Sequence, residues 1–160
     1  MPPSKLREVA QVRNAFSADE ARAMLGKGKG TIKGSALIRQ SGGGIVTCAG
    51  LEVSLIPQTA YAKERIKLIY GDREGGYADV ERAEALNLAP GLPEFIQLTR
   101  KTVCDAQGFF QFDEVGPGRW YVATSVIWRV GYDKQGGHLA TRVEVVSDEV
   151  HQIVLTPHAL

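Results

Sequence analysis

The chain has 160 residues, 44% of them hydrophobic and 23% charged, and carries a formal net charge of +1. That length suffices for one domain with a sizeable core, and the composition excludes a wholly disordered or collagen-like chain. The near-neutral balance argues against a nucleic-acid partner, since Lys27, Lys29 and Lys33 form the one local basic run and read as a solvated strand edge. No apolar run approaches the roughly 20 residues of a membrane span, so no membrane span is expected. Met1 to Glu8 lack the apolar stretch of a signal peptide, which leaves open a cytoplasmic protein and an exported one whose leader has been removed.

In chain order, residues 1 to 28 read as an N-terminal arm and helix. The arm, 1 to 16, is polar and poorly patterned apart from a short helix expected over Lys5 to Arg13. Ser17-Ala18-Asp19-Glu20 has the form of a capping box, with helix continuing from Ala21 to Leu25 and ending at Gly26. Residues 29 to 160 read as the body of the domain. From Lys29 the hydrophobic period becomes two, which predicts a strand A over 30 to 39 with Ile32, Gly34, Ala36 and Ile38 on one face. Ser41-Gly42-Gly43-Gly44 is a turn, and without a following Lys-Ser/Thr and helix it is a hairpin loop rather than a phosphate cradle. Strand B follows over 51 to 56, with Leu51, Val53 and Leu55 on one face and Glu52, Ser54 and Ile56 on the other.

Residues 58 to 94 break the strand rhythm. Helical spacing at Tyr61, Arg65, Leu68 and Ile69, and again at Val80, Ala83 and Leu86, marks a short helical insertion between strands B and C, punctuated by glycines and prolines. Strands are then expected over 95 to 104 (C), 108 to 113 (D), 118 to 129 (E), 138 to 147 (F) and 149 to 156 (G). Between C and D, Asp105-Ala106-Gln107-Gly108 is a tight turn in which Asp105 bonds the backbone and Gly108 supplies a positive φ; Phe110 and Phe112 then fall on one face. Short strands separated by turn signals argue for a mainly all-β protein, a seven-strand Greek-key β-sandwich.

The pattern Asp105-x-x-Gly108-x-Phe110-x-Phe112, then Val115, Gly118, Trp120 and Val122, resembles the carboxypeptidase regulatory-like domain, a transthyretin-like (prealbumin-like) sandwich. Ile32-x-Gly34 and Ala49-Gly50-x-x-Val53-x-Leu55 match the opening of that family. Trp120 departs from it, because the family usually carries Tyr at that distance from the glycine; Tyr121 is a candidate register neighbour. A narrower similarity, to uncharacterised bacterial proteins of the same type, rests on Pro57-x-Thr59-x-Tyr61-x-x-Glu64-Arg65, Thr124-x-Val126-x-Trp128 and Gln135-Gly136-Gly137. The broad family occurs as accessory domains beside peptidases, transporters and surface proteins, so the resemblance implies scaffolding or recognition and does not imply catalysis.

With strands running up and down, Cys48 just before B and Cys104 at the end of C fall at one end of the sandwich. Two readings follow: a disulfide, and with it an oxidising compartment such as the periplasm or cell surface, or a pair of buried thiols. His138, His151 and His158 lack metal-ligand spacing, no Tyr/His set has the iron-binding arrangement of the related intradiol dioxygenases, and no metal or other cofactor is implied. No catalytic residues are assigned: Ser35, Ser54 and Ser125 sit in expected strands without a strained elbow, and a Cys104 thiol with His138 as base competes with disulfide bonding.

The candidate binding residues are Tyr61, Glu64, Arg65 and Tyr70 of the insertion, with Tyr61 and Arg65 as i, i+4 neighbours over the sheet end. An aromatic face beside a guanidinium suits carboxylate, sugar or peptide, whereas the structural alternative has Arg65 paired with a local acid and the tyrosines covering the core. Trp128 and His138 belong to an E–F loop expected at the opposite end, near the cysteines, with Trp128 either lining the core or serving as a stacking platform. The expected function is a non-enzymatic accessory, binding or structural domain of the cell envelope, with a protein, peptide or glycan partner. The alternatives are an enzyme with a pocket under 58 to 94, marked by a buried cluster of Glu64, Arg65 and Tyr70, and a subunit docked on a larger assembly through its N-terminal arm.

Overall fold

The computed structural model of the chain describes residues 8–157; His158 and the first residues of the helix expected from Lys5 lie outside them. The architecture is an all-β sandwich with a few short helices, and the described residues form nine strands where seven were expected. One sheet contains β1 (Gly30–Arg39) flanked by β6 (Phe109–Val115), antiparallel, and β9 (Val150–Leu155), parallel, with the short β2 (Ile45–Thr47) paired to the end of β1. The other has the order β4 (Gly76–Asp79), β8 (Asp133–Val145), β7 (Gly118–Val130), β3 (Glu52–Pro57), β5 (Arg100–Val103), all antiparallel. β1 is therefore internal to its sheet, and Lys33 does not guard an edge.

The core between the sheets follows from alternation. Ile32, Ala36 and Ile38 of β1, Phe110 and Phe112 of β6 and Leu155 of β9 meet Val53 and Leu55 of β3, Trp120, Val122 and Val126 of β7, and Leu139, Val143 and Val145 of β8. Trp120 is 1% exposed, and its indole N–H donates to the Gly116 carbonyl at 3.0 Å, so the ring is buried without an orphaned donor. Tyr121 points to the other face of the sheet and is no substitute for Trp120.

The turn before β6 forms as its residues dictate. The Asp105 carboxylate accepts from the amides of Gln107 (2.9 Å) and Phe109 (3.0 Å), and Gly108 adopts φ 83°. Cys48 and Cys104 form the disulfide, with Cα atoms 5.8 Å apart and a sequence separation of 56. It joins the segment before β3 to the end of β5 and lies in the sandwich core.

Three expectations are corrected. Strand C does not run from 95: Pro93–Gln97 is a helix, α4, and the strand is confined to Arg100–Val103. Pro93 is pre-set for a first helical turn, and the amides of Ile96 and Leu98 bond the carbonyls of Leu92 and Glu94. The E–F loop is instead a hairpin paired out to Val130↔Asp133, with Gly131 and Tyr132 alone at its tip. Within it Gly136, at φ 88°, leaves room for the Trp128 ring, since a Cβ there would stand 2.6 Å from it. Residues 8 to 13 are not helical; Ala10 bridges to Leu88. The helix α1 (Ala18–Met24) is capped by Ser17, which accepts from the Glu20 amide at 3.2 Å.

Reducing the disulfide, or replacing Cys48 and Cys104 by Ala, is expected to lower the unfolding free energy by about 3–4 kcal/mol, the loop-closure term for a loop of this size. Urea denaturation with and without reductant measures it.

A candidate binding groove under the helical insertion

β7 has two faces and both are used. Tyr121, Ala123 and Ser125 point away from the sandwich core, and their cross-strand partners on β8 are Arg142, Ala140 and His138. Glu52, Ser54 and Ile56 of β3 continue this outer face. The insertion packs on it: Ala62, Ile66 and Tyr70 of α2 (Ala60–Tyr70) cover Tyr121, Ile56, Ala78 and Ala140. α2 starts at Thr59, whose hydroxyl accepts from the Ala62 amide at 3.1 Å, and stops at Gly71 at φ 69°. The insertion thus lies over the sheet's face rather than its end.

Coverage fails toward the cysteine end, where an open groove of about 680 Å³ remains. Its floor is Ser54, Ile56, Ala123, Ser125 and His138, and its walls are Arg65, Ile66, Ile69 and Tyr70 of α2, Ala83 and Leu86 of α3 (Val80–Leu86), Leu88, and Phe95 of α4. The volume falls within the ~300–1,000 Å³ of small-molecule sites. His138 therefore shares a site with Arg65 and Tyr70 instead of lying at the opposite end from them.

The expected residues divide into three groups. Tyr61 and Glu64 serve the arm. The Glu64 carboxylate accepts from the amides of Arg13 (2.7 Å) and Asn14 (2.8 Å) and from the Asn14 side chain, and these backbone bonds hold it below the usual carboxylate range. Tyr61 is 5% exposed, packs edge-on against Phe16 and Phe95 and accepts from the Leu92 amide at 3.3 Å. The marker cluster of Glu64, Arg65 and Tyr70 is accordingly not assembled. The described part of the arm, 8 to 16, is docked on this chain's own insertion through these contacts and through Ala10, which bonds residues 87 and 89. Trp128 packs against the sandwich core, on the far side of the sheet from the groove.

Arg65, Tyr70 and His138 do line the groove. Arg65 donates to the Ala89 carbonyl at 2.7 Å and sits 5.9 Å from the centroid of the Phe95 ring. Burial pushes its pKa down, partly offset by the nearby Tyr61 hydroxyl. Burial likewise pushes the Tyr70 phenol well above the usual range and the His138 imidazole below it. His138 Nδ1 is 2.6 Å from the Ser125 hydroxyl. Ser54 and Ser125 were weighed from sequence only as nucleophiles and set aside, and Leu88 and Phe95 were not singled out. The signal for Ser125 was present in the alternation of β7, which puts it on the outer face two residues beyond Ala123. Among the described residues no three His, Cys, Asp or Glu side chains are grouped to hold a metal ion.

Behind the groove, Glu74 ties the insertion to the sheet. Tyr121 donates to it at 2.8 Å, Arg142 at 3.1 Å, and the Lys63 ammonium stands 3.9 Å away. The Tyr121 hydrogen bond, more than the cations, lowers the Glu74 pKa.

No family model matches this chain, and no curated protein matches it. Among solved structures, it resembles a proposed carbohydrate binding protein from Pseudomonas aeruginosa, with a TM-score of 0.75 and 24% identity over 89% of this chain and 98% of that one. At that identity the likeness establishes a shared fold.

Because Glu74 titrates lower in the fold than in the unfolded chain, its contribution to stability is complete above the ordinary glutamate range and disappears as pH falls through its native value. Thermal midpoints taken between about pH 5 and pH 3 are expected to fall more steeply for the wild type than for Glu74→Gln. In the same way, Glu64→Ala is expected to free the arm, read as faster proteolytic cleavage within residues 8 to 16 with the sandwich left intact.

Proposed function

We propose that this chain is a non-enzymatic binding module of the cell envelope, of the carboxypeptidase regulatory-like type, that holds a glycan in the groove under the insertion. The observation that carries this reading is Tyr70. Its side chain is 2% exposed, it lines the groove, and its hydroxyl makes no hydrogen bond among the described residues. The ring is buried but the hydroxyl oxygen is not sealed from the groove, so a ligand hydroxyl can replace its water with a hydrogen bond worth about 0.5–1.5 kcal/mol. Ser54 and the Ser125–His138 pair add further hydrogen-bonding groups, while Ile69, Leu86, Leu88 and Phe95 offer apolar surface for the C–H faces of a sugar ring.

The carbohydrate reading of the similar Pseudomonas protein favours a glycan over the protein and peptide partners that such a groove also suits. The buried disulfide supports the periplasm or cell surface as the compartment. Among the described residues no helix is long and apolar enough to cross a membrane. One observation favours a second reading, an ester-cleaving enzyme: Ser125 is exposed and hydrogen-bonded to His138 as a nucleophile is to its base. In that case the protein turns over p-nitrophenyl acetate and Ser125→Ala abolishes turnover; a pure binding module shows no turnover.

Saturation-transfer NMR against a panel of mono- and oligosaccharides tests the main reading. Tyr70→Phe is expected to weaken binding by roughly tenfold. Ser125→Trp, which fills the groove from an exposed position, is expected to abolish it, with thermal midpoints close to wild type. Sugars that bind both variants as they bind the wild type would place the site elsewhere.

A further inference from the structure

We infer that the ligand of this groove is a carboxylated glycan, with Arg65 receiving its carboxylate; the inference rests on the glycan reading above. Three observations lead to it. The first is that Arg65, half-buried on the groove wall, has no acidic partner among the described residues. Its contacts are a backbone carbonyl, that of Ala89, the Phe95 ring and the neighbouring Tyr61 hydroxyl. Of the other cations in this region, Lys63 and Arg142 are matched to Glu74 and Lys134 to Glu84, while Arg65 is the one that lines the groove.

The second is the direction of the nearest acid in sequence. Glu64 is saturated by three N–H donors from the arm and does not line the groove, so it does not neutralise the guanidinium beside it. The carboxylate that does line the groove, Glu52, is 65% exposed and stands 3.9 Å from Lys101. The third is geometric. A guanidinium has five N–H donors in a planar fork, and the bond from Nη1 to the Ala89 carbonyl fixes one end of it, with Cζ 5.9 Å from the Phe95 ring centroid. A fork held in this way is pre-organised for the two oxygens of a carboxylate, which makes paired, charge-assisted bonds that a sugar hydroxyl cannot match. The same burial that disfavours an isolated charge strengthens its attraction to an opposite one.

The test uses oligomers of glucuronate, galacturonate and mannuronate, each beside its carboxyl-reduced counterpart, which keeps the ring and linkage and loses the charge. Calorimetry is expected to show at least one acidic oligomer binding about tenfold or more tighter than its reduced form. Arg65→Gln is expected to abolish that difference and Arg65→Lys to restore part of it, with circular dichroism and thermal midpoint confirming that both variants fold. Reduced oligomers that bind as well as the acidic ones, or an acid preference that survives in Arg65→Gln, would overturn the inference and leave the glycan reading standing. If neither acidic nor neutral sugars bind the folded protein, both are overturned.

Discussion

The structure depends on β7 being buried on both faces. Trp120, Val122 and Val126 belong to the sandwich, and the intervening Tyr121 and Ala123 must be covered from outside, because an antiparallel sheet with an apolar outer face is otherwise a surface for association. The insertion is that cover. α2 places Ala62, Ile66 and Tyr70 against Tyr121 and Ala140, and Glu74 fixes the far end of the insertion by its bonds to Tyr121 and Arg142. The cover stops one alternation short. The next outward residues, Ser125 and His138, meet no side chain of the insertion closely enough to be sealed, and the groove is the space left over.

That space keeps its shape because its roof is braced from the other side. Phe16, Tyr61 and Phe95 pack edge to face with centroids 5.0–5.9 Å apart, joining the arm, α2 and α4. Glu64 secures the arm through backbone amides, which bond it more firmly than a solvated ion pair would. The arm, which sequence offered as a means of docking on a neighbour, is in its described part a strap across the chain's own helices. A binding site walled by short helices on a sheet needs such bracing, since helices of seven and five residues such as α3 and α4 hold little structure alone.

Much of this was legible in the sequence. The Asp105–Gly108 turn, the Phe110/Phe112 stripe, the two faces of β3 and the location of both cysteines at one end follow from local rules of alternation and turn chemistry. The short strands β2 and β4 were not legible, because three or four residues carry no measurable period. Nor was α4, where an apolar run reads as a strand until Pro93 and the aromatic cluster around Phe95 decide it as helix. The site was legible in part. Tyr70, Arg65 and His138 line one groove although they were expected at opposite ends, because sequence distance does not show that the insertion lies along the sheet face and reaches the Ser125–His138 pair toward the cysteine end. Tyr61 and Glu64 carried the same chemical signal as Arg65 but face the arm, and only tertiary packing separates the two sides of α2.

The central claim is that the groove under the insertion is where a sugar binds. Mapping amide chemical-shift changes during titration with the tightest-binding saccharide tests it most directly. The account predicts perturbations concentrated at residues 52 to 56, 62 to 70, 123 to 125 and 138. Perturbations concentrated instead at the hairpin tip around Tyr132, or on the outer surface of β1 and β9, would contradict it.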